Sequence, residues 1–374
     1  MSDKLSVAIA AGGTAGHINT ALALAEELSS RGHDVRFVGQ SSRLEARLVP
    51  EAGYPLLCIE VTGFDRSRPW TLVTALARMV SAERALDRIF AKQGAPDVAV
   101  GFGAYVELPL MRWCAHHKVP YVLHEQNSVP GLANKVSARK AAVLALSFPA
   151  ARAAFEGRVG KATAVEVTGN PVRRSVIDAQ RDEGRAALGI SDDETLLLVF
   201  GGSLGARHLN QGVAALKDQL LAREGLRIVH STGRDEYESV VQALSLTEEE
   251  AARWKVMPYI DDMGSKLAAA DLVLSRAGAS SVAEIAAKAA PSVLVPYPFA
   301  TADHQTTNAH LLVDVGAAKL LPDDQIDTPA FAETLLALVD DPAARAQMKD
   351  AAMGLAQDRA AASLADCVER AARP

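Results

Sequence analysis

The sequence predicts an α/β protein built from two doubly wound parallel-sheet domains in series. Apolar runs of strand length alternate with helical stretches along the whole 374-residue chain, the pattern of a parallel sheet covered by helices on both faces. A unit of strand, glycine loop and helix opens the chain and recurs near its middle. The length also suits two domains of about 150–200 residues better than one.

Leu5 to Ala11 is the first apolar run, and Gly12-Gly13-Thr14-Ala15-Gly16 is the loop after it. Ile18, Leu22, Ala25 and Leu28 carry helical spacing, and Gly32 ends that helix. Further strands are expected at Asp34–Gly39, Asp97–Gly101, Tyr121–His124 and Val143–Ser147. Glu166 to Arg173 reads as a junction, because Gly169-Asn170 signals a turn and Pro171 ends regular pairing. A second cycle follows: strand Thr195–Phe200, loop Gly201-Gly202-Ser203-Leu204-Gly205, helix Leu209–Leu221, then strands at Arg227–Ser231, Leu272–Ser275 and Ser292–Pro296. The expected domains are 1–172 and 173–351, with a terminal helix over 352–374 packing back on the first. Ligands of such sheets bind beyond the carboxyl ends of the strands, so a cleft between two of them suits a reaction with two substrates.

Hydrophobic residues at 49% and charged residues at 22% fit a soluble globular chain with large cores. No apolar stretch reaches the roughly 18 residues of a membrane span. The start runs from Met1 straight into a strand with no signal-peptide pattern, so a cytoplasmic location is expected. Cys58, Cys114 and Cys367 are scattered, and no His/Cys cluster has metal spacing. Residues 1–173 hold 20 Lys and Arg against 15 Asp and Glu, whereas the whole chain carries −6. A basic first half on an acidic protein faces something anionic. Without basic runs interleaved by aromatics, a membrane surface or phosphorylated ligand ranks ahead of nucleic acid.

Both glycine loops fit an anion cradle, since backbone N–H groups approach closely and the next helix adds partial positive charge. Tight strand-to-helix turns need glycine for steric reasons too, so either loop alone says little. Neither has the G-x-G-x-x-G spacing of a dinucleotide site or the Gly-Lys-Ser/Thr of a Walker loop. Gly201 to Gly205 does match the G-x-S-x-G elbow of a serine hydrolase using Ser203. A hydrolase gives no reason for the duplication or for Thr14 in the equivalent place.

Further segments join these loops: Gly101-Phe-Gly-Ala-Tyr-Val106, His124-Glu-Gln-Asn127 with Gly131-Leu-Ala-Asn134, Gly169-Asn-Pro-Val-Arg173, Ser275 to Glu284, and Asp303-His-Gln-Thr-Thr-Asn-Ala309. In this order and spacing the chain resembles the MurG family of UDP-N-acetylglucosamine transferases, which convert lipid I to lipid II in peptidoglycan synthesis. Ala15, Leu204 and Glu107-Leu108 depart from residues common in the family's loops. The resemblance implies a GT-B fold of two Rossmann-like domains and an inverting transfer. It implies no metal and no cofactor, UDP-N-acetylglucosamine being a substrate. The chain has no Asp-x-Asp motif.

The resemblance also implies residue roles. Ser203 and its loop amides are candidates for the donor diphosphate, with Arg173 as the cation. Ala279, Ser280, Ser281, Val282 and Ala283 would lie around the nucleotide, Glu284 on the ribose hydroxyls, Gln305 on the sugar and Ile260 at the uracil. Asn127 would touch the donor sugar, and Thr14, Ala15 and Gly16 the donor or the acceptor's pyrophosphate, with Gly103 and Tyr105 in an acceptor loop. His17 and Glu125 compete for the general base, His17 having an ordinary pKa suited to the task. The acceptor is a polyprenyl-pyrophosphate-linked muramyl peptide, so the protein must visit a bilayer. Trp70, Leu76 and Met79, with Arg78 and neighbouring arginines, form the expected peripheral patch for an anionic membrane, and Trp113 lies in another stretch. The expected place is the cytoplasmic face of the cell membrane, alongside other cell-wall synthesis proteins. The alternatives are a related transferase acting on a diacylglycerol or small natural product, the serine hydrolase, and a non-catalytic nucleotide-sugar binder.

Overall fold

A computed structural model describes residues 4–62, 71–202, 206–300, 303–355 and 359–373. The chain divides into two compact units, Met1–Arg173 with Asp358–Pro374, and Arg174–Gln357.

The first unit holds a seven-stranded sheet: β1 (Ser6–Ala10), β2 (Asp34–Gly39), β3 (Leu56–Cys58), β4 (Val98–Gly101), β5 (Tyr121–Glu125), β6 (Val143–Leu146) and β7 (Ala164–Val167). Its order is β3-β2-β1-β4-β5-β6-β7, all parallel. The order reverses between β1 and β4. Ala10 lies opposite both Val38 and Gly101, so three strands end level around the first glycine loop. Successive side chains point to opposite faces. Val7 and Ile9 therefore join Leu22 and Leu28 in one core, while Ala8 and Ala10 join Leu86 and Leu110 in the other.

The final helix, Ala360–Ala372, belongs to the first of these cores through Leu364, Ala365, Cys367 and Val368. Arg31 reaches Asp366 at 2.6 Å and Glu369 at 3.2 Å, and Arg370 reaches Glu166 at 2.7 Å. These partly exposed pairs orient the helix, but apolar burial fixes it. Leu364→Ala, at a fully buried position, is expected to cost about 2–5 kcal/mol, read as a lower denaturation midpoint at unchanged slope.

The second unit holds β8 (Thr195–Phe200), β9 (Leu226–Ser231), β10 (Trp254–Met257), β11 (Leu272–Ser275), β12 (Ser292–Leu294) and β13 (Ala318–Leu320). Their order is β10-β9-β8-β11-β12-β13, again all parallel. This repeats the winding of the first six strands of the first sheet, β7 having no counterpart, as the recurring sequence unit anticipates. The helix expected over Leu209–Leu221 is two pieces, Arg207–Ala215 and Lys217–Leu221, broken where Leu216 leaves helical geometry at ψ 7°.

Candidate active site

In the first unit the functional side chains gather at the carboxyl ends of β1, β4 and β5. Gly12 packs so tightly that a Cβ there would stand 2.7 Å from a carboxylate oxygen of Glu45, while Gly13 takes φ +86° with open space around it. The chain thus turns sharply into the helix Ala15–Ser30, whose N-cap is Thr14. The Thr14 hydroxyl caps the His17 N–H at 3.5 Å, and no acidic residue occupies that helix's first turn, so the helix dipole there favours an anion. Thr14 is exposed, Gly16 half-buried and Ala15 buried.

His17 sits in this first turn, half-buried. Its Nδ1 lies 2.8 Å from Thr14 Oγ1. The tautomer with the proton on Nδ1 donates to that hydroxyl and leaves the Nε2 lone pair free, on the side facing Gly103. Burial lowers the imidazole to about 4, so the ring is neutral at physiological pH and able to accept a proton.

Glu125, the other candidate base, is 2% exposed at the end of β5. Its carboxylate accepts the N–H groups of Asn127 and Gly131, both at 3.0 Å, and the Asn134 amide at 2.9 Å. Burial raises its pKa while these donors oppose the rise. Both oxygens are committed to shaping the loop 126–131, and Asn127 is tied to the same carboxylate through its backbone. Glu125 thus builds the site, and of the two candidates only His17 presents an uncommitted proton acceptor.

Two further buried glutamates occupy loop amides, and neither was anticipated. Glu45 accepts from Gln40 N–H at 3.1 Å and Glu107 from Gly103 N–H at 2.5 Å. The amide of Gly103 therefore already has a carboxyl oxygen as its partner. That leaves the Thr14–His17 turn as the anion-receiving loop of this unit. Tyr105 is exposed beside Gly103. Arg173, expected at the donor diphosphate, is the last residue of the first unit's main segment and pairs with Glu26 at 2.8 Å.

In the second unit Ser203 lies outside the described residues. The helix Ala279–Ala287 starts directly beyond β11 with Gly278 as N-cap and no acid in its first turn, a second anion-receiving terminus. Ser280 and Ser281 are half-buried there. Val282 and Ala283 are core residues, at 0% and 2% exposure, so only their backbone is available to a ligand. Ile260 is likewise buried, so a contact with a base would come from its backbone. Glu284 is half-buried one turn into the helix. Gln305 uses its carboxamide oxygen to accept from Ala277 N–H at 3.2 Å and Tyr297 N–H at 2.9 Å, which leaves its NH₂ group for a sugar. Arg276 is buried, paired with Asp323 at 2.5 Å and donating to the carbonyls of Val295 and Pro296.

Of the expected membrane patch, Trp70 lies outside the described residues. Leu76 and Arg78 are exposed on the helix Thr71–Gln93. Met79 lines a surface groove of about 320 Å³ with Leu108, Met111 and Val136, bordered by Arg112, Arg139 and Lys140. Trp113 is not part of any surface: it is 4% exposed, stacks on His117 and donates to Asp87 at 2.7 Å. No described helix is long and apolar enough to cross a membrane.

Two parallel sheets that share one winding over six strands, each with glycines after the strand at its reversal, make up the GT-B fold. Residues 7–145 match the glycosyltransferase family 28 N-terminal domain and residues 196–367 the family 28 C-terminal domain. The chain is 37% identical over 376 residues to the UDP-N-acetylglucosamine–N-acetylmuramyl-(pentapeptide) pyrophosphoryl-undecaprenol N-acetylglucosamine transferase of Desulforudis audaxviator, covering 98% of this chain and 99% of that one. It is 40% identical to the protein of the same name from Salinibacter ruber, covering 95% and 93%. The crystal structure of Acinetobacter baumannii MurG superposes with a TM-score of 0.72 at 29% identity, covering 98% of this chain and 99% of that one. A calicheamicin glycosyltransferase shares the fold, with a TM-score of 0.69 at 18% identity, covering 99% and 98%. This chain belongs to glycosyltransferase family 28 and, within it, to the MurG family.

Proposed function

We propose that the protein transfers N-acetylglucosamine from UDP-N-acetylglucosamine to the 4-hydroxyl of the muramyl sugar of lipid I, forming lipid II. The observation that carries the mechanism is His17, neutral, fixed by Thr14 and placed at an anion-receiving helix terminus. Its Nε2 takes the proton of the acceptor hydroxyl as that oxygen bonds to the sugar C1. The bond from C1 to the donor phosphate oxygen breaks on the opposite face, and UDP leaves with the electron pair. The turn Thr14–His17 holds the acceptor's pyrophosphate by amide groups and a hydroxyl. The first turn of Ala279–Ala287, with Ser280 and Ser281, receives the donor diphosphate. Charge developing on the leaving group is then met by fixed dipoles. Release of UDP that requires a lipid I analogue supports this reading. UDP release at the same rate with water alone as acceptor would contradict it.

The acceptor's polyprenyl tail requires the protein to reach a bilayer. The groove around Met79, with its basic border, matches an anionic membrane surface in chemistry, and this supports a peripheral role at the cytoplasmic face of the membrane. Replacing Arg78 and Arg139 with alanine is expected to weaken sedimentation with anionic vesicles by about 1 kcal/mol per residue. Binding to neutral vesicles should change little. Equal binding of the double variant and the wild type to anionic vesicles would remove this patch from the account.

A further inference from the structure

We propose that Glu107 is a positioning residue of the transfer reaction, holding the Gly101–Gly103 loop in place beside His17 through the Gly103 amide. The inference rests on His17 being the base of that reaction. Glu107 opens the helix Glu107–His117, where an acid normally sits in solvent and complements the helix dipole. Here it is 0% exposed. One oxygen accepts the Gly103 N–H at 2.5 Å, and the other is buried without a hydrogen-bond partner.

The packing is tight where the loop meets this carboxyl and ordinary where it faces the base. A Cβ on Gly101 would stand 2.6 Å from Glu107 Oε2. Gly103 takes φ +85°, and a Cβ on it would lie 3.1 Å from Asn134 Nδ2 and 3.8 Å from His17 Nε2. Glu107 thus holds the Gly103 amide by a hydrogen bond, Gly103 lies on the Nε2 side of His17, and Thr14 fixes the far side of the imidazole. The carboxyl occupies the loop amide that a substrate phosphate would otherwise take, which confines an incoming diphosphate to the Thr14–His17 turn.

The groups around this carboxyl decide its charge. Glu125 on β5 is a like-charged neighbour, Tyr121 on the same strand and Cys114 on its own helix are buried and neutral, and the imidazoles of His17 and His124 are held neutral by burial. No ion pair reaches Glu107 among the described residues. Burial, with Glu125 adding to it, pushes the carboxyl up to about 8. At neutral pH the group thus keeps its proton and fills the loop without adding negative charge beside an anionic acceptor. As pH rises through about 8 the proton leaves to solvent, and the new charge repels that acceptor.

Steady-state kinetics of the full chain with UDP-N-acetylglucosamine and a short-chain lipid I analogue, from pH 6.5 to 9.5, test the proposal. In the wild type KM for the acceptor should rise about tenfold between pH 7.5 and 9.5. In Glu107→Gln it should stay level, with kcat at pH 7 close to wild type, because the Gln oxygen still accepts from Gly103. Glu107→Ala, lacking that acceptor, should lose about tenfold in kcat at every pH. An unchanged alkaline rise of KM in Glu107→Gln would overturn the proposal, as would wild-type kcat in Glu107→Ala. Should Glu107→Ala fail to fold, the Gln variant alone decides. A wild type without acceptor-dependent UDP release would overturn the transfer reading, and the proposal with it.

Discussion

Replacing His17 with alanine is expected to lower kcat by a factor of about 10²–10⁴ while leaving KM for UDP-N-acetylglucosamine near its wild-type value. The expectation follows from what surrounds the ring. Thr14 Oγ1 holds Nδ1 at 2.8 Å, so the imidazole is already oriented and spends no freedom finding its partner. Burial holds its pKa down to about 4. The neutral form is the competent one, so lowering the pH inactivates only as it falls through that value, and kcat should be level from about pH 5.5 to 7.5. An unperturbed histidine would instead give an acid limb near 6.5. Single-turnover measurements across this range separate the two. A loss of less than tenfold in His17→Ala would take the base role away from this residue.

Replacing Glu125 with alanine is expected to destabilise the first unit by about 3–5 kcal/mol, the range for leaving buried partners of a charged group uncompensated. Three N–H donors, on Asn127, Gly131 and Asn134, lose their acceptor at once. Glutamine does not repair the site, since its NH₂ group would face donors. Activity should fall along with stability, because the loop 126–131 carries Asn127 and because Asn134 packs against Gly103 beside His17. Urea denaturation and kinetics on the same preparations distinguish this from a catalytic role. A Glu125→Gln variant of wild-type stability and kcat reduced a hundredfold or more would restore Glu125 as a base.

The inner parts of both sheets were legible in the sequence, and the edges were not. All nine strands expected from apolar runs are present, and the four that were not expected, β3, β7, β10 and β13, are the outermost strands of their sheets. An edge strand has one neighbour and less burial, so it needs no apolar run. In β7 all four residues are exposed or half-buried, and its sequence reads as the start of a junction. The same limit governs the site. Thr14, His17 and Glu125 stand beside glycines or in a polar cluster that follows a strand, a signal that sequence carries. Glu45 and Glu107 carry none, because an acid in the first turn of a helix reads as a solvated group favouring the dipole. Only the close approach of Gly12 to the Glu45 carboxyl and of Gly101 to that of Glu107, with the Gln40 and Gly103 amides as donors, shows that they turn inward.

The stereochemistry of the product tests the central claim most directly. UDP-N-acetylglucosamine carries an α-linked sugar, and attack by a hydroxyl activated at His17, opposite the departing UDP, must invert that centre. Proton NMR of the disaccharide formed from a lipid I analogue should show one new β-anomeric signal with the large coupling of a trans-diaxial pair, and no free N-acetylglucosamine. An α-linked product, or free sugar in place of the disaccharide, would contradict the account.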